Sequence, residues 1–188
     1  MKILLIVGHP KFKDSIANKR IVERLRASDF EIDVRVLVDL YPDFKIDVEA
    51  EQIALTKVDT VIFQYPFWWY NMPGLMKIWF DEVFAHDFAY GSKGNKLKGK
   101  NFLLSFTVGG PPSAYQPIGQ NHFRIGDFVK PMEQTAYLSQ MHFIDPIYEH
   151  EMIYIPGVYH TREEVEARAD RQAERILLAL DKMIRNSF

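Results

Sequence analysis

Three turns carry the residues of this chain whose types and spacing could do chemistry. The first runs from His9-Pro10 to Ser15-Ile16-Ala17-Asn18. It follows a short apolar run and precedes a helical pattern. Its hydroxyl, amide and backbone N–H groups would therefore gather at a helix N-terminus, which stabilises an anion such as a phosphate. It has neither a Walker-type glycine loop nor G-x-G-x-x-G spacing, so alone it is equally a capped helix with nothing bound. The second turn follows Pro66, where Phe67, Trp68, Trp69 and Tyr70 come in immediate succession before Pro73-Gly74. So bulky a cluster outside a helix or strand suits a flat aromatic ligand or a partner subunit. The third turn is Thr107-Val108-Gly109-Gly110, ahead of Pro111-Pro112. Glycine lets a ligand approach the backbone closely, and N–H groups there could serve the carbonyl oxygens and ring nitrogens of a flavin or similar heterocycle. A double glycine is equally what a tight strand exit needs.

What could bring these turns together is an alternation of strands and helices. Ile3–Val7 reads as a first buried strand, followed by a helix over 16–26 with Ser15 as N-cap. A second strand is expected over 32–38, a short helix over 48–55 and a third strand from 58, ended by Pro66, which has no N–H for the ladder. Leu75, Met76, Trp79, Phe80, Val83 and Phe84 recur at helical spacing. After a glycine- and lysine-containing connection over 86–100 come a strand over 101–108, a loop over 113–124, a helix over 125–139 and a strand over 142–147. Thr161 and Glu164 form a capping box for a last helix, with Val165, Ala169, Ala173, Ile176, Leu177 and Leu180 as its buried stripe. Right-handed crossovers turn this alternation into an α/β, flavodoxin-like three-layer sandwich: a five-stranded parallel sheet of order 2-1-3-4-5 in a single domain spanning 1–188. In that order the three turns lie at one sheet edge, outside the carboxyl ends of strands one, three and four, where such sheets bind ligands.

Composition narrows the classes. At 188 residues, 47% apolar and 26% charged, the chain has the makings of a core and no sign of disorder. A net charge of −2 with scattered Lys and Arg leaves no footprint for nucleic acid. The absence of cysteine removes disulfides, thiolate nucleophiles and cysteine metal sites, which fits a cytoplasmic protein. The apolar run at 3–7 is too short for a signal-peptide core and lacks a small-residue cleavage site, so it is read as a strand.

Taken together, His9-Pro10 with Ser15-x-x-Asn18, the stretch from Tyr65 to Phe84, Phe88-Ala-Tyr90 and Thr107-Val-Gly-Gly resemble the flavodoxin-like NAD(P)H:quinone oxidoreductase family. That family includes DT-diaphorase and the bacterial ancillary flavoproteins of glutathione-gated potassium-efflux systems; the length here is similar to its short bacterial branch. The resemblance implies a flavin phosphate near His9, Ser15, Ile16, Ala17 and Asn18. It implies an isoalloxazine ring against Pro66, Phe67, Trp68 and Trp69, with Tyr70 nearby and Thr107, Val108, Gly109 and Gly110 on the other edge. Tyr115 and His122 match the family's proton-relaying tyrosine and histidine, with a spacing one residue longer than in the animal enzymes. Val108 stands where a threonine is frequent.

The implied activity is two-electron hydride transfer from NAD(P)H through the flavin to a quinone or similar acceptor. The implied assembly is a homodimer whose partner subunit completes each site. FMN is favoured by the short chain, FAD stays open, and NADH is not distinguished from NADPH. An ancillary role beside a potassium-efflux transporter, at the inner face of the membrane, is the alternative. Azoreductase or nitroreductase activity and an electron-carrier flavodoxin follow at a distance; carriers tend to be strongly acidic, unlike this chain.

Other conspicuous residues have plain readings. Trp79, Phe80, Val83 and Phe84 are expected to be core, and one of Trp68 and Trp69 to point inward. Asp81 and Glu82 belong to an outer helix face, and His86 and His142 to the surface or to structure. His150 and His160, with Glu149 and Glu151, lack metal-ligand spacing.

Overall fold

In a computed structural model, which describes residues 1–185, a parallel sheet forms the middle layer in the order β2-β1-β3-β4-β5. Its strands are β1 (Ile3–Val7), β2 (Ile32–Val36), β3 (Thr60–Pro66), β4 (Asn101–Thr107) and β5 (His142–Glu149). The helices are α1 (Ala17–Arg26), α2 (Leu37–Leu40), α3 (Val48–Thr56), α4 (Gly74–Val83), α5 (Ile125–Leu138) and α6 (Arg162–Arg185). Both sheet faces are covered. This is why β1, β3 and β4 are nearly continuous apolar runs rather than alternating ones.

Successive residues of each strand feed opposite cores. Leu4, Ile6, Phe63, Phe102 and Leu104 join α4 and α5 on one face. Ile3, Leu5, Val7, Ile62 and Leu103 join α1 and α6 on the other. The central aromatic cluster is tight: Phe63 lies 4.6 Å from Phe80 and 4.7 Å from Phe102, ring centre to centre. Trp79, Phe80, Val83 and Phe84 are all buried there, as their spacing implies.

One charge lies deep in this core. Glu51, fully buried on α3, accepts bonds from Arg35 at 2.6 Å, from the Tyr41 hydroxyl and from Trp79 Nε1 at 2.9 Å. A buried carboxylate survives because its partners replace its lost hydration.

Four local expectations change. The second strand stops at Val36, since residues 37–40 turn into α2 and bury Leu37. The fifth strand continues to Glu149 because an extra residue near Pro146 shifts its register: Leu103 pairs with Ile144, but Ser105 with Ile147. Leu177 is only partly buried, and the fully buried Gln172 joins the inner face of α6 instead. Trp68 and Trp69 both face outward, at 45% and 92% exposure, so neither turns into the core. Among the described residues no helix is long and apolar enough to cross a membrane.

Candidate active site

The carboxyl ends of β1, β3 and β4 open into a cleft of about 450 Å³, within the roughly 300–1,000 Å³ of ligand-sized pockets. It gathers ten of the sequence-derived candidates: His9, Ser15, Ile16, Ala17, Asn18, Pro66, Phe67, Trp68, Thr107 and Gly109.

The anion-receptive end is built by the first crossover. Ser15 is the last extended residue before α1, and its Oγ accepts the Asn18 N–H at 3.1 Å, the bond expected of an N-cap. No acidic residue occupies the first turn of α1, although the Asp14 carboxylate lines the same cleft. His9 Nδ1 accepts the Lys11 N–H at 3.1 Å. The neutral ring therefore carries its proton on Nε2 and can donate from there. Burial pulls the His9 pKa down to about 4, against the opposing field of Asp14. The imidazole is thus neutral near pH 7 until an anion is bound beside it.

The flat wall comes from the aromatic turn. Phe67 is buried, while Trp68 lines the cleft and meets the His9 ring edge-on at 5.5 Å. Beyond it, Trp68-Trp69-Tyr70-Asn71 closes a turn through the Asn71 N–H and Trp68 carbonyl at 3.0 Å. Trp69 and Tyr70 have φ of 50° and 62°, left-handed backbone that bulky residues adopt at a cost. That conformation carries Trp69 away from the protein. Tyr70 is pinned by its hydroxyl to Asn121 Oδ1 at 3.0 Å and stacks on Phe128.

At the opposite edge, Gly109 has open space on its side-chain side: a Cβ would meet nothing nearer than Ile153 at 4.0 Å. The fold does not demand glycine there, but a side chain would take cleft volume. Val108 is fully buried behind the turn, and its N–H is already bonded to the Glu149 carbonyl at 2.9 Å.

The remaining candidates fall outside this cleft. Tyr115 and Gly110 lie together, a Cβ on Gly110 meeting the Tyr115 ring at 3.4 Å. Tyr115 is buried, lines a neighbouring cleft with Arg124, Lys130 and Tyr148, and keeps its hydroxyl protonated because burial pushes its pKa up. His122 is exposed, with φ of 61°, and no hydrogen bond or ring contact joins it to Tyr115. The histidine against Tyr115 is His150, at 5.4 Å between ring centres, with Nδ1 3.0 Å from the Gly110 carbonyl.

Sequence reasoning missed Lys11, Asp14, Met152, Ile153, Tyr154 and Val165 on the cleft wall. The strand order could have found Met152, Ile153 and Tyr154: β5 lies beside β4, so the segment leading from β5 to α6 must border the same opening.

A parallel sheet with a ligand-sized cleft beyond its strand ends, beside a helix N-terminus, defines a doubly wound nucleotide-binding type of protein. More specifically, the chain belongs to the family described as having a flavodoxin-like fold, whose profile matches residues 1–178. It is 38% identical over 154 residues to the glutathione-regulated potassium-efflux system ancillary protein KefF of Enterobacter sp. (strain 638), covering 79% of this chain and 82% of that one. It is 36% identical over 171 residues to the uncharacterized NAD(P)H oxidoreductase YrkL of Bacillus subtilis (strain 168), covering 91% and 95%. Among solved structures, it is similar to general stress protein 14 of Treponema denticola in complex with FMN. The TM-score is 0.86 and the identity 32%, over 97% of this chain and 99% of that one.

Proposed function

We propose that the protein is an FMN-dependent NAD(P)H:quinone oxidoreductase. The observation that carries this reading is the convergence of an anion-receptive helix end, an aromatic wall and an open glycine edge in one cleft. The residues fit FMN by their chemistry. The N-terminus of α1, Ser15, Lys11 and His9 Nε2 suit a phosphate, and the Thr107 hydroxyl and the open space at Gly109 suit a polar heteroaromatic edge. Similarity to the FMN complex from Treponema denticola and to the oxidoreductase YrkL supports it. Held there, FMN would supply the two-electron redox chemistry that links NAD(P)H to a quinone.

The chain's own groups bind and orient. His9 and the α1 N-terminus hold the phosphate, Trp68 and Phe67 limit where a flat ring can lie, and Ile153 with Tyr154 screens one side from water. Tyr115, held protonated by its surroundings, is a standing hydrogen-bond donor at the Gly110 end. Trp69 at 92% exposure and Ile118 at 100% are apolar surface for a second copy of the chain, so the working enzyme is a homodimer that completes each acceptor site.

Likeness to KefF favours one further reading, in which the same flavoprotein also binds a potassium-efflux transporter at the inner membrane face. Retention of the protein on a column carrying that transporter supports it; flow-through unchanged from an empty column rejects it. The oxidoreductase is tested by NADPH oxidation without oxygen: consumption beyond one equivalent of flavin should need both FMN and a quinone, one nicotinamide per quinone. Oxidation indifferent to FMN would overturn it.

A further inference from the structure

Five polar side chains run through the buried interior behind the cleft. Gln172 Nε2 on α6 lies 2.9 Å from Ser105 Oγ on β4; Ser105 Oγ lies 2.6 Å from Gln64 Oε1 on β3. Gln64 Nε2 is 2.8 Å from Asn18 Oδ1 on α1, and Asn18 Nδ2 is 3.1 Å from Thr107 Oγ1 at the end of β4. Asn18, Gln64, Ser105, Thr107 and Gln172 are all buried, and Asn18 and Thr107 line the cleft.

Such a chain can run in either direction, because each amide can be turned end for end. Its inner end decides. Gln172 Nε2 also lies 3.2 Å from the Phe106 carbonyl and 3.4 Å from the Ile147 carbonyl, groups that only accept. Nitrogen must stand there, even though Gln172 Oε1 is left without a partner. Turning the amide would set its oxygen against two carbonyls and gain nothing for the other end. Ser105 therefore accepts from Gln172 and donates to Gln64, Gln64 donates to Asn18, and Asn18 donates to Thr107. The Thr107 hydroxyl proton has no place left along the chain and, among the described residues, no protein acceptor.

We propose that Gln172 is a positioning residue for the cleft: through Ser105, Gln64 and Asn18 it makes the Thr107 hydroxyl a hydrogen-bond donor to the bound ligand. With the opposite polarity Thr107 would donate to Asn18 and offer the cleft only lone pairs. An interior glutamine thus selects a ligand with an acceptor atom, a carbonyl oxygen or unprotonated ring nitrogen, at that edge. The inference rests on the cleft being the FMN site.

The test is the FMN dissociation constant of the purified full chain, read by quenching of flavin fluorescence, with the visible spectrum of the bound form. Thr107→Val, Ser105→Ala and Gln172→Leu should each weaken binding about threefold to tenfold, the scale of one hydrogen bond. They should also shift the visible bands alike. Thr107→Ser should bind as wild type does. Ser105→Ala combined with Thr107→Val should bind no more weakly than Thr107→Val alone, because both remove one donor. Ser105→Ala removes a single oxygen and serves should Gln172→Leu not fold. Additive losses, or wild-type affinity in Ser105→Ala, overturn the inference alone. A wild type that binds no FMN overturns the site assignment and the inference with it.

Discussion

Tyr115 and His150 face each other across 5.4 Å, and His150 Nδ1 approaches the Gly110 carbonyl to 3.0 Å, tying the tyrosine to the glycine turn beside the cleft. The family resemblance pointed to His122, which is exposed here. In the oxidoreductase, His150→Gln and Tyr115→Phe should each lower kcat with quinone about a hundredfold or more, the low end of a proton-transfer contribution. His122→Gln should leave kcat within about twofold. Steady-state kinetics on the three variants checks this, and a collapse in His122→Gln alone would restore the pair that the family resemblance implies.

The left-handed pair Trp69-Tyr70 stores strain. A non-glycine residue there costs roughly 1–2 kcal/mol, whereas glycine costs roughly 0.5–1 kcal/mol through its freer unfolded chain. Trp69→Gly should therefore raise unfolding stability by about 0.5–1 kcal/mol while raising KM for a flat quinone, since the exposed indole is lost. Urea denaturation beside kinetics separates the two effects.

His9 gives the ligand-free protein a pH dependence. Its folded pKa of about 4 lies below the unfolded value near 6.5, so the unfolded chain takes up a proton first as pH falls. Its contribution to stability is whole above pH 6.5 and is lost progressively down to about 4. Comparing wild type with His9→Asn by denaturation at several pH values isolates the effect: the difference should narrow on acidification through that window. Bound FMN should flatten the slope, since a phosphate favours the charged ring.

Glu51 should be intolerant of truncation. Glu51→Ala leaves the buried Trp79 N–H and the partly buried Arg35 guanidinium without their acceptor, a loss of about 3 kcal/mol, the low end for breaking a buried ion pair. Thermal unfolding measures it, and FMN affinity in the protein that still folds should be little changed, because α3 lies on the far face from α1.

The sheet order was legible because it follows from alternation, buried apolar runs and handedness, all local or chiral properties. The first turn was legible too, since an S-x-x-N cap is local chemistry. What escaped depends on contacts between distant residues. The buried Gln172 stands in an amphipathic stripe as a polar interruption, and its value appears only when Ser105, Gln64 and Asn18 meet it. Likewise His150 reaches Tyr115 because a register shift near Pro146 extends β5, which apolar periodicity does not reveal. The outward tryptophans defied strand alternation because the chain had already left the strand at Pro66 for a left-handed turn.

The most direct measurement is the visible spectrum of the FMN-loaded protein under anaerobic conditions, before and after one equivalent of NADPH and then one of a quinone. Flavin bands that bleach on NADPH and return on quinone are the expected result. Bands that persist with NADPH and NADH alike, or a protein that takes up no FMN, would contradict assignment of the cleft to nicotinamide-dependent quinone reduction.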